Sequence, residues 1–292
     1  MATDIDKVYI STFERILRQL AQQGITRLRP YVTERATNGT DHGWDRLSAS
    51  TSTSKAAGMV ATPSTGGTYS RRLSIAATEH AGDTTQQEDV VQMLIDPNSN
   101  QAASLAMAIR RAWDDKIIAA ATGDATDGDG VAVVYDTANQ QIDGSGSTIT
   151  FDMVTQVQEL FLENDIELDQ EKVFVVGPKQ IRKLMQLTEQ TSADYVAREA
   201  LQKLSTTGIC ANWMGFTWIM STRLNITPGT PDTIDCIAFT RRGLGMQMNK
   251  DLWVRVAEDP TQSFAWRIYC ATTFGVVRVE DEHVVWLICD NE

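Results

Sequence analysis

Histidine is almost missing from this 292-residue sequence: His42, His80 and His283 are its only three, and no two stand three or four positions apart. Most zinc chemistry and histidine-base catalysis are thereby excluded. Cysteine is equally sparse. Cys210, Cys236, Cys270 and Cys289 lie far apart, and three fall in strand-like apolar segments (DCIAF, RIYCATT, WLICD), so buried free thiols are expected rather than disulfides or a metal site. Basic charge is short as well. The 26 Lys and Arg against 38 Asp and Glu give a formal charge of −12, the wrong sign for an extended phosphate-gripping surface. No apolar run approaches the roughly 20 residues of a membrane-spanning helix. Met1-Ala2-Thr3-Asp4 is not a basic stretch leading into an apolar one, so a chain made and kept in the cytosol, away from membranes, is expected.

Catalytic motifs are missing too. The sequence has no G-x-S-x-G elbow, P-loop, G-x-G-x-x-G or H-E-x-x-H, and the glycines of GSGS, from Gly144 to Ser147, do not lead into a phosphate-binding helix. Asp114-Asp115 and Glu280-Asp281-Glu282 imitate acid/base pairs, but neighbours on a helix point apart and charge runs usually sit on solvated faces. The run Asp124, Asp127, Asp129, Gly130 resembles a calcium loop without its closing acid, since Ala138 and Asn139 occupy that region. No catalytic residue, cofactor or metal ligand is assigned on this reading, and no enzyme is expected.

What is present is organised along the chain. An amphipathic helix is predicted from Asp4 to Gly24, with Ile5, Val8, Ile16, Leu17 and Leu20 near one face and Asp4 as N-cap. From Ala36 to Asp83, Ser, Thr, Gly and Ala dominate and little apolar material can be buried. GWDRLSA and YSRRLSIAATEHA flank this polar centre with alternation suited to two antiparallel strands, so a long protruding hairpin is expected. A loop that long is unusual in a compact domain, and it needs a surface outside its domain to lie on.

The strongest single element runs from about Ser99 to Thr122. Apolar Ala102, Leu105, Ala106, Ile109, Trp113, Ile117 and Ala120 alternate with charged Arg110, Arg111, Asp114, Asp115 and Lys116 at helical spacing, between Pro97 and Gly123. One long helix, roughly 36 Å from end to end, is predicted. A small β-excursion follows to Phe151. An α/β stretch comes next: helix FDMVTQVQELFLEN, strand KVFVVG, a helix opened by Pro178, and a second helix after Ser192. Strands are read in MGFTWIMST, TIDCIAFT, LGMQM, DLWVRVAED, SFAWRIYCATTFGVVRV and HVVWLICD. Three Arg pairs stand out in the acidic chain: Arg71-Arg72, Arg110-Arg111 and Arg241-Arg242. The planar guanidinium favours carboxylates across interfaces. With Trp44, Arg46 and Lys55 of the polar hairpin, these arginines are the candidate inter-subunit contacts.

This order of parts resembles the Hong Kong 97-type capsid fold of tailed bacteriophages, an α+β architecture. So do particular phrases: LIDPNSN, RRAWDDKIIAAATG, VVGPKQIRKLMQLTEQTSADY, NWMGFTWIMSTRL and FGVVRVEDEHVVWLICDNE, spanning roughly Tyr69 to Glu292. The resemblance implies an N-terminal arm at 1–40, an extended E-loop hairpin at 41–83, and a P-domain with its spine helix at 84–150. An α/β A-domain at 151–246 and terminal strands at 247–292 complete it. It implies a major capsid protein, self-assembled into hexamers and pentamers of an icosahedral phage head in the virion. The head would enclose double-stranded DNA without sequence-specific binding, and the acidity would serve either solubility or spacing of that DNA from the wall. A separate scaffolding protein and a portal are expected partners, since the chain has no room for a removable N-terminal scaffolding segment; a decoration protein is a further one. Some relatives lock their shells by a Lys to Asn bond, for which Lys55 is the sole loop candidate and no partner motif is found. The competing readings are an encapsulin-like compartment shell and a cytosolic hydrolase.

Overall fold

The computed structural model describes residues 22–55, 58–86, 97–167, 169–186 and 198–292. The helix expected from Asp4 to Gly24 lies almost wholly outside them. One unit of the fold contains Glu79–Arg110 and Leu252–Thr272; the other contains Thr26–Thr78, Arg111–Asp251 and Thr273–Glu292.

In chain order the strands begin with β1 (Thr33–Ala36), β2 (Asp41–Leu47) and β3 (Tyr69–Ile75), and β4 (Ala77–Thr85) follows. The predicted long helix is α1 (Pro97–Thr122), and the β-excursion after it resolves into β5 (Ala125–Asp127), β6 (Ala132–Val133) and β7 (Gln141–Thr148). Helix α2 (Phe151–Glu163) starts where Thr150 accepts a hydrogen bond from the Met153 amide at 3.3 Å, with Asp152 favourably placed in the first turn. Its Val154, Val157 and Phe161 form a buried stripe at helical spacing.

Strand β8 (Lys172–Val176) is buried at every position and leads through Gly177 into α3 (Pro178–Gln186), with proline at the helix start where its missing N–H costs nothing. The second predicted helix is α4 (Arg198–Thr207), the part of that segment within the described residues. Then come β9 (Ile209–Trp213), β10 (Phe216–Met220), β11 (Ile226–Thr227), β12 (Thr233–Thr240), β13 (Leu244–Asp259), β14 (Ala265–Arg278) and β15 (Val284–Asp290). A seven-stranded sheet orders β7-β15-β12-β8-β10-β9, with β11 on β12. Rings line its interior: Trp213 to Trp218 at 4.6 Å, Trp218 to Phe174 at 4.6 Å, Phe174 to Phe216 at 5.5 Å, and Phe216 to Phe161 at 6.0 Å. Trp218 is fully buried, and its indole N–H donates to the Trp213 carbonyl at 2.9 Å.

Three strand features differ from the sequence reading. LGMQM and DLWVRVAED form one 16-residue strand, β13, because nothing between them breaks an extended chain. Ile209–Trp213 is a strand, paired to β10 through a two-residue turn with Met214 at φ 53° and Gly215 at φ 77°. Both turn residues are left-handed, the geometry of the tightest hairpins, and Met is an uncommon choice there. Thr33–Ala36 is also a strand, parallel to Gly245–Met248.

In the smaller unit His80 stacks on Tyr269 at 6.0 Å and Trp253 meets Tyr269 edge-on at 5.4 Å. Among the described residues no helix is long and apolar enough to cross a membrane.

Candidate assembly surface

Strands β2 and β3 pair antiparallel over seven positions, from Asp41 opposite Ile75 to Leu47 opposite Tyr69. Alternation puts His42, Trp44 and Arg46 on one face with their opposites Ser74, Arg72 and Ser70, and Asp45 and Arg71 on the other. The first face is turned inward. Trp44 packs on Ala125, Val277 and Val279, and lies so close to Gly245 that a Cβ there would come within 2.6 Å of the indole. Its N–H donates to Ser74 Oγ at 3.1 Å; Ser74 Oγ donates to Gln247 Oε1 at 3.0 Å, and Gln247 Nε2 to the Gly39 carbonyl at 2.9 Å.

Below Trp44 lies a buried ionic cluster. Arg72, only 5% exposed, donates from Nη2 to Asp281 Oδ2 at 2.7 Å, while Arg278, fully buried, donates from Nε to Asp281 Oδ1 at 2.6 Å. Arg278 also donates to the carbonyls of Gly123 and Val133, and its guanidinium lies 4.8 Å from the centre of the Tyr135 ring. Burial pushes the Tyr135 phenol well above its ordinary range, and its hydroxyl lies within hydrogen-bond distance of two carbonyls, Gln140 at 2.8 Å and Val284 at 3.0 Å. Two cations thus share one carboxylate, and Arg72 Nε has no partner. Removing the carboxylate from such a cluster costs about 3–5 kcal/mol, since it leaves charge uncompensated. The hairpin root is therefore fastened to its own chain.

The hairpin tip is different. From Ser48 to Gly67 every described residue except Thr65 and Gly67 is exposed, including Met59, Val60 and Lys55, and no strand or helix forms. Only short links close its neck, such as the Gly67 amide to Ser50 Oγ at 3.1 Å and the Thr68 amide to Ser48 Oγ at 2.9 Å.

The candidate contact residues divide accordingly. Trp44, Arg46 and Arg72 meet at the root, where Arg46 lies 3.9 Å from Glu282. Arg71 is outward and pairs with Asp45 at 2.6 Å, which holds that carboxyl below its usual range. Lys55 is on the tip. Arg241 and Arg242 are exposed in the turn between β12 and β13, with Arg242 3.9 Å from Glu280. Arg110 donates to the Gly24 carbonyl at 2.9 Å within the smaller unit, and Arg111 is half-buried. Sequence reasoning did not single out Arg278, Tyr135 or Gln247, and it placed Asp114-Asp115 and Glu280-Asp281-Glu282 on solvated faces, whereas Asp281 pairs with two buried arginines and Asp114 is buried. A signal for Arg278 existed: an arginine inside GVVRV has to find a buried acid.

Neither cysteines nor the acidic run form a metal centre among the described residues. None of the four cysteines is in a disulfide and all are buried, and Cys236, hydrogen-bonded with Cys289 and fully enclosed, has its thiol pushed well up. Asp127 accepts from the Asp129 and Val131 amides at 3.0 and 2.8 Å, so the acidic run makes the β5–β6 turn.

A family profile described as phage capsid protein matches residues 5–291. No curated protein sequence matches the chain. Among solved structures, the capsid of cyanophage P-SCSP1u is similar at TM-score 0.74 and 15% identity, covering 100% of this chain and 96% of that one. A chain of Mycobacterium phage Che8 gives 0.72 at 16% identity over 96% and 97%. The mature capsid of bacteriophage PhiM1 gives 0.69 at 13% identity over 98% and 93%. At such identities these likenesses establish the fold, which is the Hong Kong 97-type capsid fold anticipated from the sequence.

Proposed function

The chain belongs to the phage capsid protein family, and on that premise we propose that it is the major shell subunit of a phage head. Copies associate into hexamers and pentamers that close an icosahedral wall around double-stranded DNA, and the work is self-association without catalysis. The observation that supports this is the bare 48–67 tip on a root pinned by Trp44 and Asp281. A long exposed loop on a fixed base has apolar residues and backbone to cover, and a neighbouring copy covers them.

In this reading residues 41–83 act as the E-loop lying over the adjacent subunit and 1–40 as the arm reaching along a neighbour. Residues 84–150, 151–246 and 247–292 supply the spine helix, the A-domain and the closing strands. Lys55, Arg71, Arg241 and Arg242 are the candidates best placed to reach another copy. A separate scaffolding protein, a portal and, on the outside, a decoration protein are the further partners; the DNA is held without base recognition, and the subunit is made in the host cytoplasm. No specific observation favours the encapsulin-like or hydrolase alternatives.

Electron micrographs of the chain expressed with its scaffold are expected to show closed shells. Dispersed monomers at every salt concentration would sink the reading.

A further inference from the structure

Next to the hairpin root lies a groove of about 240 Å³, whose lining includes Arg35, Trp44, Asp45, Arg242, Val279 and Glu280. Its two acids already have close partners: Asp45 has Arg71 at 2.6 Å, and Glu280 has His283 Nε2 at 3.0 Å. Its two arginines do not have comparable acids. Arg35, exposed on β1, makes no ion pair among the described residues, and Arg242 approaches Glu280 only to 3.9 Å. Arg241, the next residue in the turn, is also exposed and forms no ion pair among the described residues. In a chain carrying −12, where cations are the minority, this is an unusual reserve of guanidinium above an apolar floor of Trp44 and Val279.

The opposite imbalance occurs on residues 159–171. Glu159, Glu163, Asp165, Glu167, Asp169 and Glu171 are all exposed, the stretch holds no Lys or Arg, and none of the six forms an ion pair among the described residues. Glu163 also sits in the last turn of α2, where the helix dipole disfavours negative charge and no basic residue offsets it.

We infer that the Arg35/Arg242 groove receives the acidic 159–171 segment of a second copy of the chain, an inference that rests on the shell-subunit reading above. Guanidinium forks take carboxylates two oxygens at a time, and complementary patches fix register between partners. Two different patches on one surface make a heterologous contact, the kind that closes into rings.

Zero-length coupling tests the contact directly. Arg35→Lys and Arg242→Lys keep the charge and supply an amine; shells assembled from a mixture of light- and heavy-nitrogen subunits are treated with a carbodiimide and digested. The expected product joins position 35 or 242 of one copy to a carboxylate within 159–171 of another. Coupling only within one copy, coupling to the scaffold or to other acids, or no coupling, overturns the contact while the shells themselves uphold the assembly reading. If the unmodified chain forms no shells, both fall together. As a second measurement, Arg35→Glu with Arg242→Glu should abolish shells without lowering Tm, and adding Glu163→Arg and Glu167→Arg should restore them. Shells from the double reversal, or no restoration by the quadruple change, overturns the inference.

Discussion

The seven-stranded sheet and the hairpin 41–75 solve burial in opposite ways. In the sheet, Lys172–Val176 is buried at every position and its rings satisfy one another inside one chain. In the hairpin, a few buried residues at the root hold down a tip that buries almost nothing. Self-sufficient stability and unfinished surface are thus assigned to separate stretches, and each can be altered without the other.

The sharpest way to break that division is to replace residues 49–67 by a two-residue Asn-Gly turn. Particle formation should vanish in electron micrographs, while stability to urea changes by no more than about 0.5 kcal/mol, the range of surface changes that touch no core. A large loss of stability would show that the tip is part of the fold after all. Next in size are two core substitutions that should look alike globally and differ locally. Trp218→Ala and Asp281→Ala should each cost about 3–5 kcal/mol in urea unfolding, the first by a cavity and the second by unpaired buried arginines. Hydrogen exchange separates them: Asp281→Ala should release protection in 41–47 and 69–75, Trp218→Ala in 172–176 and 216–220.

The smallest effect concerns Glu280, whose carboxyl lies below its ordinary 4.5 chiefly through the hydrogen bond from His283. A depressed carboxylate contributes stability above its unfolded value and loses it as pH falls through the folded one. Glu280→Gln should therefore flatten the decline of Tm with acid below about pH 4.5. An unchanged acid limb would show that the pair contributes nothing measurable.

The sequence made the hairpin legible because GWDRLSA and YSRRLSI alternate, and it marked α1 because apolar residues recur at helical spacing. It could not separate Arg71 from Arg72. Adjacent strand residues point to opposite faces, so one arginine is solvated and the other 95% buried, and which is which depends on Asp281, 209 positions away. The Met214-Gly215 turn was hidden for a local reason, since Met rarely adopts positive φ. LGMQM and DLWVRVAED read as separate strands, yet Asn249 and Lys250 between them continue one extended chain.

The long reach from Arg72 to Asp281 also sets an order of events during synthesis. Chains emerge from the ribosome N-terminus first at about 5–20 residues per second, so roughly 10–40 s separate the two partners. Until residues 277–281 emerge, the hairpin has neither its carboxylate nor the valines under Trp44. A nascent or prematurely terminated chain therefore lacks both the carboxylate and the valines that fix the hairpin root.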